Sequence, residues 1–167
     1  LSDLTWKIYT EDVTALPQYI GTEARIQNAY ITQGCVIEGE VTNSVVFTGA
    51  TDKAARKALT IPTTVKIGGK SFRVTAIGTS AMSGAKKLTT VKIGANIMTV
   101  GAKAFYGCSK LSNVTIFGTK LTTAKTGANA FKGIRSNCRF KVPASRVSAY
   151  KKLLRAKGAG PKIIVTK

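Results

Sequence analysis

This 167-residue chain contains no histidine, and its seven acidic residues are confined to the first 52 positions. They are Asp3, Glu11, Asp12, Glu23, Glu38, Glu40 and Asp52; from Lys53 to Lys167 there is no carboxylate side chain. General acid–base catalysis needs a titratable group beside the reacting atom, usually His or a carboxylate, and the longer part of the chain offers neither. A Ser-His-Asp arrangement is impossible without His, and a cysteine nucleophile has no imidazole to activate it. Lysine or tyrosine chemistry is not excluded by composition, but no pattern supports it. The chain therefore reads as a non-enzyme with no catalytic residues. Three cysteines, Cys35, Cys108 and Cys138, are odd in number and widely spaced, which gives no disulfide framework. Cys35 and Cys108 each follow a glycine and read as small apolar interior residues. Zinc needs paired ligands at short spacing, so no metal is expected, and no cofactor. Apolar runs are only a few residues long, far short of the roughly 20 that cross a bilayer. The N-terminus has no basic region followed by an apolar stretch, so no signal peptide is read there; a mature fragment would already have lost one.

What is abundant is positive charge. Lys and Arg number 26 and the net charge is +19, but the first 52 residues carry seven acids against Lys7 and Arg25, a balance of −5, while the remainder carries +24. Two compositions meet near residue 52, a sign of parts with different partners.

Internal repetition is the strongest signal. The string VTAIGTSAMSGAKKLTTVKIG is followed by IMTVGAKAFYGCSKLSNVTIFG. Gly78 and Gly101, Ala81 and Ala104, Gly84 and Gly107, Leu88 and Leu111, Val91 and Val114, Ile93 and Ile116 all differ by 23 residues. A third unit places Gly127, Ala130, Phe131 and Gly133 at 26 from Gly101, Ala104, Phe105 and Gly107, its three added residues falling near the GTKLTT loop. That period is the size of a leucine-rich repeat, whose units each supply one strand and bury their apolar face only against a neighbour. Val91 and Ile93 alternate with Thr90 and Lys92, as Val114 and Ile116 do around Thr115, the period of a half-buried strand. Leu59/Ile61 and Phe140/Val142 look like flanking rungs. The alanine before each aromatic lets the ring enter the stack, with Met82 replacing the expected phenylalanine, and the following glycine permits the returning turn.

The pattern IGxxAFxGCxxL followed by VxI resembles the BspA-like leucine-rich repeats of bacterial surface proteins over about residues 58–142. The resemblance implies secreted or cell-surface proteins that act in adhesion and matrix binding. The expected fold is a mainly β repeat solenoid over residues 51–167. VKIGGKSFRVTAI supplies a hairpin over 65–77 around Gly68-Gly69, the repeats span about 78–142, and a capping helix runs over about 145–157. Pro143 and Ser145 open that helix, Val147, Tyr150, Leu153 and Leu154 share one face, and Gly158 stops it. A short strand over Ile163–Val165 is expected to pair back.

The first 50 residues follow another rule. Apolar positions Ile20, Ile26, Ile31 and Ile37 step by 6, 5 and 6 residues, close to the hexapeptide period of a β-helix. With Trp6, Tyr9, Thr10, Pro17, Gly34-Cys35, Gly39, Asn43-Ser44-Val45 and Gly49, the segment is similar to the start of the C-terminal left-handed β-helix of bacterial ADP-glucose pyrophosphorylase (glucose-1-phosphate adenylyltransferase). In that family the β-helix contributes to subunit association and regulation, and nucleotide chemistry lies in another domain, so no catalytic residue carries over. A short left-handed β-helix-like segment, or cap, is expected over residues 1–50, a candidate for self-association. The pairing of the two resemblances admits an engineered or recombined fusion, or a natural N-terminal cap. The coincidence of the charge break with the resemblance break favours the fusion.

Several short strings are explained by their context. Gly69-Lys70-Ser71 mimics the end of a P-loop, but Thr64 stands where the motif needs glycine and the stretch reads as a hairpin. KGAGPK at 157–162 reads as a turn after a helix C-terminus, which repels anions. Asn113-Val114-Thr115 is a sequon inside a predicted strand.

Strands stacked in register would line up Thr60, Lys92, Thr115 and Lys141 as an outward column, the candidate ligand-facing residues. The same residues would also serve only to keep an open sheet solvated. The basic repeats should attract protein or polyanionic ligands such as acidic glycans, cell-wall polymers or anionic membranes. Nucleic-acid modules usually add a clustered aromatic platform, and the phenylalanines here are assigned to the stack, so specific nucleic-acid recognition is disfavoured. The repeat resemblance implies an extracellular or cell-surface location, and the N-terminal one a cytoplasmic location.

Overall fold

The alternating pairs spaced through the repeats make parallel strands because each unit brings the same apolar face back to the same place. The computed structural model describes residues 44–50, 52–67 and 69–167, together with four two-residue strands before them. Those four are β1 (Tyr19–Ile20), β2 (Ile26–Gln27), β3 (Val36–Ile37) and β4 (Val41–Thr42); β1 pairs β3 and β2 pairs β4, both in parallel. The other N-terminal residues invoked above, Cys35 included, lie outside the described residues.

From β5 (Ser44–Phe47) onward two sheets form. The larger is five-stranded and parallel, ordered β13-β12-β11-β9-β6, from β6 (Ala58–Ile61), β9 (Thr90–Ile93), β11 (Asn113–Ile116), β12 (Arg139–Lys141) and β13 (Ile164–Thr166). The second pairs β5, β8 (Lys70–Ile77) and β10 (Thr99–Val100) in parallel, and Val100 bridges on to Thr126. β7 (Thr64–Ile67) folds back on β8 as an antiparallel hairpin, turning through Gly69 at φ +78°. One buried cluster draws on both sheets: Val45, Val74, Ile77 and Val100 from the second, and Leu59, Ile61, Val91, Ile93, Val114, Ile116 and Phe140 from the larger.

Between the sheets each repeat makes the same turn. Met82, Phe105 and Phe131 are buried at its centre. The Phe105 and Phe131 rings stack at 5.6 Å, and Phe140 meets Phe131 edge-on at 5.8 Å, both favourable aromatic geometries. Backbone groups join successive turns: Met82 N–H donates to Ala104 O (2.7 Å), Phe105 N–H to Ala130 O (2.8 Å) and Phe131 N–H to Lys157 O (3.0 Å). A Cβ at Gly101 would run into Thr79 N and one at Gly127 into Ala102 N, so the neighbouring turn leaves no room for a side chain. Two residues after the glycines Gly78, Gly101 and Gly127, Ser80, Lys103 and Asn129 adopt φ of 54°, 55° and 56°, a left-handed conformation unusual for side-chain-bearing residues.

The C-terminal helix begins later than its sequence signals place it. Ala144–Arg146 form a 3-10 turn and α1 spans Val147–Ala156, with no side-chain capping bond at Arg146 and Ser145 inside the 3-10 turn. Tyr150, Leu153 and Leu154 are buried and Val147 packs against the core, while Lys151, Lys152 and Arg155 are exposed. The last strand is one residue later than expected. Val165 pairs with Phe140, which leaves Ile164 outward at 42% exposure and Ile163 buried ahead of the strand. Three consecutive apolar residues, Ile163-Ile164-Val165, do not by themselves say which two face inward.

Tyr150 ties the helix to the insertion that lengthens the third repeat. Its hydroxyl donates to Gly118 O (2.8 Å) and accepts from Leu121 N–H (3.3 Å), with Leu121 buried beside it.

Candidate functional site

Strand pleating sends alternate residues to opposite faces, so the inward Leu59, Val91, Val114, Phe140 and Val165 fix what stands outward. Thr60 is opposite Lys92, Lys92 opposite Thr115, Thr115 opposite Lys141, and Lys141 opposite Thr166. The four residues of the expected column are therefore brought together across adjacent strands, extended by Thr166. Thr60, Lys92 and Lys141 are exposed and Thr115 is half-buried. A second outward row runs parallel to it: Ala58, Thr90, Asn113, Arg139 and Ile164. The insertions between repeats fall outside these strands, so the rows stay in step although the sequence spacing varies.

The electrostatics are one-sided. Lys92 and Lys141 stand two strand spacings apart, about 9.5 Å, and Arg139 lies on the same face of β12 as Lys141. A pair about 9.5 Å apart repels by about 0.4 kcal/mol in salt-free water, and since that spacing exceeds the screening length of about 8 Å at physiological salt, most of the repulsion is screened there. Asp52 is the one carboxylate side chain among the described residues, and it is engaged by Arg56 Nη2 at 2.6 Å. The five strands of the sheet contain no acidic side chain to offset its cations.

Thiol chemistry is suppressed. Burial pushes the Cys108 thiol up to about 11 against a weaker lowering by a backbone hydrogen bond near Ala85, and Cys108 Sγ donates to Met82 O at 3.1 Å. Burial likewise pushes Cys138 up to about 12, with Arg135 opposing it weakly. Both remain protonated near neutral pH, so neither is a ready nucleophile or metal ligand. Among the described residues no three His, Cys, Asp or Glu side chains cluster as metal ligands. No helix among them is long and apolar enough to cross a membrane.

One residue escaped the sequence reading. The phenylalanines were all expected in the stack, yet Phe117 is 57% exposed. It directly follows β11, and its N–H donates to Ile93 O (3.1 Å), continuing the ladder one step beyond the strand. Ile116 occupies the inward position, so the pleat sends Phe117 to the face of Asn113 and Thr115. The adjacent apolar pair Ile116-Phe117 was the available signal, because two neighbours on a strand do not both face inward. The outward placement of Asn113 and Arg139 was missed because they stand in the second outward row, and that of Thr166 because the last strand begins one residue later than expected.

Parallel strands, one per unit, with an apolar residue column inside and conserved turn geometry between them, define a leucine-rich-repeat fold. The chain belongs to the BspA type Leucine rich repeat region family, whose model matches residues 55–154 in six copies. Where the sequence reading recognised three repeats and two flanking rungs, the family model covers the atypical units as well. Two solved structures are similar to it. One is a leucine rich cell surface protein from Faecalibacterium prausnitzii A2-165, at 24% identity and a TM-score of 0.39, covering 52% of this chain and 26% of that one. The other is a leucine-rich repeat protein from Bacteroides ovatus ATCC 8483, at 24% identity and a TM-score of 0.37, covering 51% and 29%. A 51-residue stretch, 30% of the chain, is 47% identical to glucose-1-phosphate adenylyltransferase from Bacillus cereus (strain Q1). The same enzyme from Bacillus mycoides (strain KBAB4) matches at 45%. The chain spans 14% of the length of these curated relatives.

Proposed function

We propose that the chain is a non-catalytic binding module of the bacterial cell surface, a repeat solenoid over residues 51–167 that presents the outward face of its larger sheet to a polyanionic or protein ligand. The observation that carries this reading is the register that sets Thr60, Lys92, Thr115 and Lys141 side by side on strands that contain no acidic side chain. A flat, rigid array of like charges is built at a cost that an anionic ligand would relieve. Membership of the repeat family supports the location. In this reading α1 caps the open end of the stack: its buried face covers apolar side chains, and Lys157 O accepts the hydrogen bond that a further repeat would have accepted. The test is a panel of immobilised acidic glycans, cell-wall polymers and matrix proteins at two salt concentrations. Salt-sensitive binding to anionic members is expected, and no binding at either salt would sink the reading.

A second role is favoured by a separate observation. The match to glucose-1-phosphate adenylyltransferases and the parallel pairs β1–β3 and β2–β4 support a left-handed β-helix-like segment over residues 1–50, natural or joined by fusion, that acts in assembly. Sedimentation of the chain with and without these residues tests it; an unchanged mass removes the segment from assembly.

A further inference from the structure

Among the described residues Phe117 is a large aromatic side chain standing clear of the core, on a sheet face whose other outward residues are threonine, asparagine and cations, with Ala58 and Ile164 in the second row. Its strand neighbour on one side is Gly94, opposite it by the register that pairs Ile116 with Ile93. Gly94 is buried and a Cβ there would come within 2.7 Å of Pro62 O, so the preceding strand's backbone packs against this position and no side chain from it lies against the ring. On the same face, two residues back along β11, stands Thr115, flanked in register by Lys92 and Lys141; Asn113 follows, flanked by Arg139.

We propose that Phe117, Thr115, Asn113, Lys92, Lys141 and Arg139 form a subsite for an acidic polysaccharide, with a pyranose ring lying on Phe117 and its sulfate or carboxylate groups reaching the flanking cations. The proposal rests on the sheet being the binding face, as proposed above. Three features favour a sugar over other anions. The apolar face of a pyranose matches a single ring of this size. Threonine hydroxyls and the asparagine amide both donate and accept, which suits the sugar's hydroxyl groups. Lys92 and Lys141 are separated by two strand spacings, which suits a chain charged at intervals rather than a compact phosphate. A single-stranded nucleic acid is disfavoured because its readers string aromatic platforms along the backbone track, one for each stacked base, and the outward rows of this sheet contain one. A protein partner would need a wider apolar centre than one ring amid cations.

The test uses the full chain and a heparin-derived hexasaccharide as probe, with a neutral hexasaccharide and a deoxythymidine oligonucleotide alongside. Phe117→Ala is expected to weaken heparin-fragment binding about tenfold, about 1.4 kcal/mol, while leaving the dependence on salt unchanged, because no charge is removed. Lys92→Gln with Lys141→Gln is expected to weaken binding and to flatten the salt dependence. Thermal unfolding of each variant confirms that the fold is kept. Heparin-fragment binding by Phe117→Ala equal to that of the parent overturns the subsite while leaving the basic-face reading intact. Tighter binding of the oligonucleotide than of the heparin fragment overturns it in favour of nucleic acid. Absence of hexasaccharide binding by the parent protein overturns the subsite outright, and the wider panel then decides the basic-face reading separately.

Discussion

Replacing Tyr150 by Phe removes one oxygen and leaves the buried ring in place, so it isolates the polar link between α1 and the Gly118–Lys125 insertion. In the parent that hydroxyl donates to Gly118 O and accepts from Leu121 N–H, and Tyr150 is 1% exposed. Without it, a backbone donor and a backbone acceptor beside a buried side chain lose a partner together. An orphaned buried group costs about 1–3 kcal/mol, and relaxation of the loop lets water recover part of that. The expected loss is about 2 kcal/mol, read as a lower urea midpoint at unchanged slope, because the surface exposed on unfolding is the same. For a chain of this size it corresponds to a Tm lowered by roughly 4–8 °C. Tyr106→Phe supplies the control, since Tyr106 is 40% exposed, and its change should stay within about 0.5 kcal/mol. Equal stability of Tyr150→Phe and Tyr106→Phe would refute the idea that the helix holds the insertion through this hydroxyl.

Three further outcomes follow from the same packing. Phe131→Ala should cost about 3–5 kcal/mol by denaturant unfolding, and combining it with Phe105→Ala should be non-additive by about 0.5–1.5 kcal/mol, because the two rings stack directly. Lys103→Asn should raise the unfolding free energy by about 0.5–1 kcal/mol, read as a higher urea midpoint, since Lys103 holds a left-handed φ that its counterpart Asn129 tolerates more easily; a destabilised variant would contradict this. Stability should be fully present at neutral pH and fall as pH rises from 9.0, the ordinary thiol value, toward the raised values of Cys108 and Cys138, about 11 and 12. Above 9.0 the unfolded thiols lose protons that the folded ones keep, so the folded state is penalised by up to about 1.4 kcal/mol per pH unit for each group. Burial also raises Tyr150, which adds a loss of the same sign at higher pH. Cys108→Ala with Cys138→Ala should flatten the curve between pH 9 and 10, measured by urea unfolding across that range.

How much of this was legible in the sequence differs between elements. Val91/Ile93 and Val114/Ile116 announce strands twice over, through alternation and through a common offset, and both signals come from the same physical demand for a buried column. The outward column followed from them directly, because once the inward residues are paired the pleat leaves no choice for Thr60, Lys92, Thr115 and Lys141. Phe117 was not legible by composition, since an exposed and a buried phenylalanine look alike until the inward position is assigned to Ile116. The start of α1 was misplaced because Pro143 and Ser145 are usual helix openers, whereas the chain spends them on a 3-10 turn that carries it away from β12. The pairing of Tyr150 with the insertion joins residues 29 and 32 positions apart through one hydroxyl, and no local pattern encodes it.

The central claim is that binding belongs to the outward face of the larger sheet and not to positive charge in general. Two double variants with the same loss of charge separate these: Lys92→Gln with Lys141→Gln on the sheet, and Lys151→Gln with Lys152→Gln on the exposed side of α1. Affinity for immobilised heparin, measured across a salt series, should fall about tenfold or more with a shallower salt dependence in the first, and stay within about twofold of the parent in the second. Equal losses in the two would contradict the account, because the sheet would then be one part of a diffuse cationic surface.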